Sequence, residues 1–279
     1  MPAPLLVVDA PSVLYRAFFA LPDTLTGAGG MVINALLGAS NAILRVAADH
    51  APRAVVICSG AEAARYRVAR YPGYHADRPA VPDALAPQLA RADELFGALG
   101  WTCADAGELE ADDLLHSYAL AEVAAGGSAL LMTGDRDLFQ CAAPDVTVLY
   151  LKTGVKGFEA VTPAEVEQRY GIPPALVPDF IALRGDPSDR LPGARGVGPK
   201  GAAALLRKYR TLDDAIAAGQ LAGQAEQLRL YRRIAAMDAA APLPDLPDQT
   251  PTWDKAAALA RDWELGRLAS RLEELAAAR

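Results

Sequence analysis

Only three cysteines occur among the 279 residues, Cys58, Cys103 and Cys141, and no two stand at a CxxC spacing. An odd set without that spacing excludes a disulfide framework and a thiolate zinc site, and it points to a reduced, cytoplasmic chain. No apolar run reaches the roughly 18 residues of a membrane span. The opening "MPAPLLVVDAPS" has no basic segment before its apolar stretch and an aspartate straight after it. It reads as a buried first strand and not as a signal peptide. Internal repeats and lipidation signals are absent too. Positive charge is in short supply: 27 Lys and Arg face 34 Asp and Glu, a net charge of −7. Taken alone, that balance speaks against a nucleic-acid partner. Hydrophobic residues are plentiful at 52%, enough for a sizeable core and too many for a disordered chain.

The distribution of charge says more than its sum. Residues 65–78, "RYRVARYPGYHADR", carry four arginines and a histidine against one acid, Asp77. Residues 190–210, "RLPGARGVGPKGAAALLRKYR", carry six Lys and Arg and no acid. Two basic segments therefore sit in an otherwise acidic chain.

The runs "LLVVD" (5–9), "RAVVIC" (53–58), "SALLMTGD" (128–135) and "VTVLYL" (146–151) are almost continuously apolar. Strands covered on both faces look like this. Residues 34–50, 82–100 and 111–127 show helical spacing between them, the last stopping at Gly126-Gly127. The alternation predicts an α/β domain over 1–162 with a mainly parallel sheet and helices on both faces. Residues 163–240 have helical periodicity and loops only, which predicts a smaller all-helical region. A Pro-rich segment, 241–253, then leads to a terminal helix within 241–279 expected to pack back on the body.

Acids fall where a parallel sheet places its ligands. Asp9 ends the first strand, and Asp135 and Asp137 follow the third in "TGDRD". The loops at the carboxyl ends of such strands form the ligand crevice. Glu110, Asp112 and Asp113, in "GELEADDLLHS", open a helix that could enter the same edge. First-turn acids are ordinary helix-dipole partners, and that reading covers any one of these residues taken singly. Five or six carboxylates gathered together need a counter-charge, because each raises the pKa of its neighbours. A hard divalent cation such as Mg²⁺ answers that need, and two such ions make a phosphodiester hydrolase site.

A second constellation is "RGDPSDRLPGARGVGPKGAAALLRKY" (184–209). Gly196 and Gly198 precede Pro199 and Lys200 at a helix start, leaving free N–H groups at the positive end of a dipole. Such a turn can hold a phosphate without reading a base. Arg207 and Lys208 add cations, and Asp186 and Asp189 lie just upstream, so that grip and chemistry are tied by about ten residues.

In order, "LLVVDAPSVLYRAFFALP", "YRVARYPGYHADRPAVPDAL", "LEADDLL", "TGDRDLFQ" and "LRGDPSDRLPGARGVGPKGAAALL" resemble the 5′→3′ exonuclease and flap endonuclease family, in particular the nuclease domain of bacterial DNA polymerase I and its stand-alone relatives. The resemblance implies a PIN-like nuclease domain followed by a helix-three-turn-helix DNA-binding region. It implies two Mg²⁺ or Mn²⁺ ions held by Asp9, Glu110, Asp112, Asp113, Asp135, Asp137, Asp186 and Asp189. Gly196, Gly198, Lys200, Arg207 and Lys208 would meet duplex DNA, with a potassium ion possible at the turn. Tyr15 and Arg16 would stand near the base of a 5′ flap, residues 72–100 would arch over its single strand, and Arg78 and His75 would offset charge at the scissile phosphate. A monomer acting in replication and repair is expected.

The family pattern is broken twice. It places an Asp after the second strand, where this chain has Cys58, Ser59 and Gly60, with Glu62 the nearest acid. Its YKxxR motif is Tyr74-His75-Ala76-Asp77-Arg78, so an imidazole, mostly neutral at pH 7, replaces an ammonium. A flap-binding protein with weak or no catalysis is the alternative these changes raise. A phosphatase using Asp9 as nucleophile fits less well, since "DAPSV" has no second Asp two residues on.

Overall fold

The computed structural model describes residues 2–152 and 157–278. Its first part runs β1 (Leu5–Asp9), α1 (Ala10–Ala20), α2 (Asn34–His50), β2 (Ala54–Ser59), α3 (Arg65–Arg70), α4 (Ala86–Ala98), β3 (Thr102–Asp105), α5 (Ala111–Ala124), β4 (Ala129–Thr133), β5 (Val146–Leu151) and β6 (Phe158–Val161). Helices follow: α6 (Pro163–Tyr170), α7 (Val177–Arg184), α8 (Pro199–Tyr209), α9 (Leu212–Ala217), α10 (Ala225–Ala235), α11 (Trp253–Asp262) and α12 (Gly266–Ala277).

The strands form one sheet in the order β3-β2-β1-β4-β5-β6, parallel except for the antiparallel β5–β6 pair. Strand order reverses between β1 and β4, so Asp9 at the end of β1 and Asp135 beyond β4 flank the switch point, where open α/β sheets take their ligands.

Side chains alternate across the sheet. Leu5, Val7, Val56 and Leu131 join a core with α5 and the α7–α10 helices. Leu6, Val8, Ile57 and Met132 join a second core with α1, α2, α4, α11 and α12. The helical region and α5 thus share one face, which brings α8 and α10 to the side where α5 begins. The terminal helices pack on the opposite face. Gln249 fastens the preceding segment: its N–H donates to the Arg53 carbonyl at 2.8 Å, and its side chain accepts from the Val55 N–H and donates to Thr102 Oγ1.

Three features differ from the sequence reading. β3 and β6 are additional four-residue strands, half-exposed and at the sheet edges, where no continuous apolar run is required. α6 packs against both β6 and the helical turn at 174–176, and so bridges the two expected regions. Residues 72–100 do not form a single element. Residues 86–98 form a body helix, with Ala92, Leu95 and Phe96 in the second core. The fully buried Gln88 accepts the Ala35 N–H at 2.8 Å and donates to Asn34 Oδ1 at 3.0 Å. The helical spacing of 82–100 is that of a core helix, and only residues up to about Pro82 lie along the pocket.

Candidate metal centre and nucleic-acid interface

An open pocket of about 1300 Å³ lies over the carboxyl ends of β1 and β4. Asp9, Glu110, Asp112, Asp135, Asp137, Asp186 and Asp189 all line it. Asp9 closes β1 and caps α1: Oδ1 accepts the Ser12 N–H at 3.0 Å, and Oδ2 accepts Thr133 Oγ1 at 2.6 Å. Thr133 in turn accepts the Asp135 N–H at 3.0 Å, and Asp135 Oδ1 accepts the Asp137 N–H at 2.8 Å. The turn after β4 is thereby folded so that Asp135 stands near Asp9 and Asp137 near Asp135, Asp186 and Asp189. Asp186 accepts from Arg184 and from the Ser188 N–H, and Asp189 Oδ1 lies 2.9 Å from His75 Nε2.

Asp113 is the exception. It is fully buried, absent from the pocket lining, and gripped in two-point fashion by Arg67, at 2.7 and 3.1 Å. It also accepts the N–H groups of Glu110, at 3.2 Å, and Asp238, at 2.8 Å. Expected among the metal ligands, Asp113 here acts as a helix cap and an ion-pair partner and does not line the pocket. Its neighbour Asp112 is rotated by about 100° around the helix and faces the other acids. Glu108, outside the pocket, is 75% exposed and pairs with Arg65.

The acids disturb one another. Burial raises the pKa of Asp9. Burial, then Asp9, Asp135 and Glu110, push Asp112 well up. Burial, with Asp189 and Asp9 adding, pushes Asp135 up to about 6. Burial and then Asp135, Asp189 and Asp186 raise Asp137 well above its ordinary value. Among the described residues no hydrogen bond reaches the carboxylates of Asp112 or Asp137. Desolvated carboxylate oxygens are the donor type a hard divalent ion takes, although among the described residues no three of these side chains converge closely enough to hold one as they stand.

A linked effect on stability follows. With pKa values raised above 3.8, the folded metal-free chain holds more protons than the unfolded chain from about pH 4 to above pH 6. Its stability therefore rises as pH falls through that window. His116, whose pKa burial lowers, opposes this as a single group. Metal-free protein is expected to melt higher at about pH 5.5 than at about pH 8, and Mn²⁺ to shrink the difference. A melting temperature that falls on acidification over that range contradicts this.

Cations rim the pocket. Arg16 donates to the Gly134 carbonyl at 2.6 Å, and Arg78 to the Glu62 carbonyl at 2.9 Å. His75 Nδ1 meets that same carbonyl at 2.9 Å, so Nδ1 carries the hydrogen. Tyr15 lines the pocket, and Phe19, 73% exposed, stands one turn along α1 from it. Away from the pocket, Gly196 adopts φ +74°, a left-handed turn that favours glycine, and Gly198 caps α8. Gly196, Gly198 and Lys200 are exposed at the start of α8, while Arg207 and Lys208 are exposed in its last turn, about 10 Å farther on.

Family comparison matches this arrangement along nearly the whole chain. The N-terminal resolvase-like domain of 5′-3′ exonucleases matches residues 4–171, and their C-terminal SAM fold matches 172–257. The chain belongs to the 5′-3′ exonuclease family. A 5′-3′ exonuclease of Streptomyces coelicolor is 34% identical, over 96% of this chain and 98% of its own. A 5′-3′ exonuclease of Mycobacterium tuberculosis is 37% identical, over 78% and 74%. DNA polymerase I of Mycobacterium tuberculosis is 40% identical over 75% of this chain, which spans 23% of that polymerase's length. Solved structures share the fold at low identity. The T5 D15 protein, crystallised with metal ions, superposes with a TM-score of 0.68 at 16% identity, over 98% of this chain and 99% of its own. The catalytic core of Rad2, crystallised with a DNA substrate, gives 0.61 at 13%, over 98% and 90%.

In this 5′-3′ exonuclease family member, the end of β2 explains the first departure from the family pattern. Cys58 pairs in register with Asp9 and is fully buried. Burial, then Asp9 and Asp112, keep its thiol protonated. Gly60 lines the pocket but has no room for a side chain: a Cβ there would come within 2.6 Å of the Leu109 carbonyl and 2.9 Å of Ala106 Cβ. Gly60→Asp is thus expected to cost about 1–3 kcal/mol of stability and to restore no ligand. Thermal denaturation checks this, and an unchanged melting temperature would contradict it.

The basic segment 65–78 is less available than its composition suggests. Arg67 is buried in ion pairs, Arg65 meets Glu108, and Asp77 is held by Arg190. Arg67 carried no signal in the sequence beyond being one arginine among several.

Proposed function

We propose that this chain hydrolyses DNA phosphodiester bonds at 5′ ends and 5′ flaps, in replication and repair, using Mg²⁺ or Mn²⁺. The observation that carries the reading is the gathering of seven carboxylates from β1, α5, the turn after β4 and the loop after α7 around one open pocket. Asp9, Glu110, Asp112, Asp135, Asp137, Asp186 and Asp189 would hold two ions. Bound there, divalent cations would supply the charge that activates a water and stabilises the leaving 3′ oxygen.

The rest is the work of side chains. Arg78 and His75, tied to the Glu62 carbonyl, stand across the pocket where charge on a phosphate grows, and fixed cations there stabilise it. Tyr15 and Phe19 offer faces on which an unpaired base can stack. Gly196, Gly198 and Lys200 at the start of α8, with Arg207 and Lys208, would hold the duplex by its phosphates. Cations bound among the acids would offset much of the net charge of −7 where DNA approaches.

A 5′-labelled flap substrate tests this directly. Cleavage in Mn²⁺ that stops with a chelator is the expected result. The protonated Cys58 beside Asp9 favours the second reading, a flap-binding protein of low activity. Flap binding without cleavage at any Mn²⁺ concentration would establish that reading and end the first.

A further inference from the structure

The Arg67 guanidinium donates four hydrogen bonds and makes one further ion-pair contact, and its partners come from two parts of the chain. Nη1 lies 2.9 Å from Glu110 Oε2 and 3.1 Å from Asp113 Oδ2. Nη2 lies 2.7 Å from Asp113 Oδ1 and 3.3 Å from the Ala236 carbonyl. Nε donates to the Ile234 carbonyl at 3.1 Å. Four hydrogen bonds and a close ion pair to Glu110 thus converge on one planar fork, a pattern that lysine cannot reproduce. The residue is 3% exposed and lies at the floor of the pocket.

From this geometry we infer that Arg67 is a positioning residue, which sets the orientation of Glu110 at the candidate metal centre and ties it to the end of α10. This rests on the reading of the carboxylates as metal ligands. Glu110 is otherwise held by the Ala64 N–H, at 2.5 Å on Oε1, and by Tyr74 Oη, at 2.9 Å on Oε2. Among the described residues, Arg67 supplies the one charged contact of Glu110. By pairing with Asp113 as well, it removes that acid from the competition for a cation and leaves Asp112 and Glu110 facing the pocket. Its bonds to the Ile234 and Ala236 carbonyls make the end of α10, in the helical region, part of the same cluster. A displacement of α10 therefore moves the guanidinium and, through it, a prospective ligand. A salt bridge that served the fold alone would need Asp113 and the carbonyls but not Glu110.

Groups that orient metal ligands change metal affinity by about 10–100-fold when removed. The test is Mn²⁺ binding to the full chain, read by the loss of the free-ion electron paramagnetic resonance signal. Wild type, Arg67→Lys and the uncharged pair Arg67→Met with Asp113→Leu are compared, and cooperative melting confirms that each is folded. Both variants are expected to bind Mn²⁺ at least tenfold more weakly than wild type. The double variant separates the roles: if Arg67 only neutralises Asp113, replacing both restores wild-type affinity. Folded variants that bind within twofold of wild type overturn the inference. Variants without a cooperative melt also count against it, since the guanidinium would then serve folding and not orientation. Wild type that binds no Mn²⁺ contradicts the metal centre itself, which is a distinguishable failure.

Discussion

Asp112→Asn and Asp135→Asn are each expected to slow 5′-flap cleavage roughly 10²–10³-fold, the scale of losing one preorganised electrostatic group at a reacting centre. Both acids face the pocket, and burial with like-charged neighbours raises the pKa of each. An amide of the same shape keeps the packing and removes the charge that would hold a cation. DNA binding should not weaken, because less negative charge is left near the phosphates. Single-turnover cleavage and fluorescence anisotropy on one flap substrate separate the two effects. Asp113→Ala makes the contrast: it strands a buried arginine, so stability should fall by on the order of 3 kcal/mol. A lower urea midpoint for Asp113→Ala, with a midpoint for Asp112→Asn at or above that of the wild type, is the expected pattern. Equal loss of cleavage without any change in stability for Asp113→Ala would put that residue back among the ligands.

Flap affinity is expected to drop by about 10³-fold between 50 and 200 mM salt, as befits a protein with about six phosphate contacts. The cations available for this are the exposed Lys200, Arg207 and Lys208 on α8 and the pocket-lining Arg16 and Arg78. Lys200→Ala should weaken binding to all flap sequences alike and make the salt slope shallower by about one. Affinity that hardly responds to salt, or a Lys200→Ala effect confined to some sequences, would contradict a backbone grip at the α8 turn.

Much of this molecule can be read from its sequence because its inner strands are buried on both faces. β1, β2, β4 and β5 must be nearly all apolar, so "LLVVD" and "VTVLYL" announce themselves. β3 and β6 lie at the edges, and four half-exposed residues carry too little pattern to be seen. The gathering of Asp9, Asp112 and Asp135 follows from strand ends and a helix start, which spacing reveals. The separation of Asp112 from Asp113 does not. Adjacent acids at one helix entrance look alike until the helix is turned against its neighbours, and the partner that claims Asp113 comes from 46 residues away. Residues 86–98 posed the reverse difficulty: a helical pattern shows that a face is buried but not whether it packs on the body or stands over a pocket.

Anomalous diffraction from crystals soaked in Mn²⁺ bears most directly on the metal centre. Manganese is expected within coordination distance of Asp112 and Asp135, with Asp113 still held by Arg67. Manganese bound elsewhere on the protein while the pocket among Asp9, Asp112 and Asp135 stays free of it would contradict the assignment.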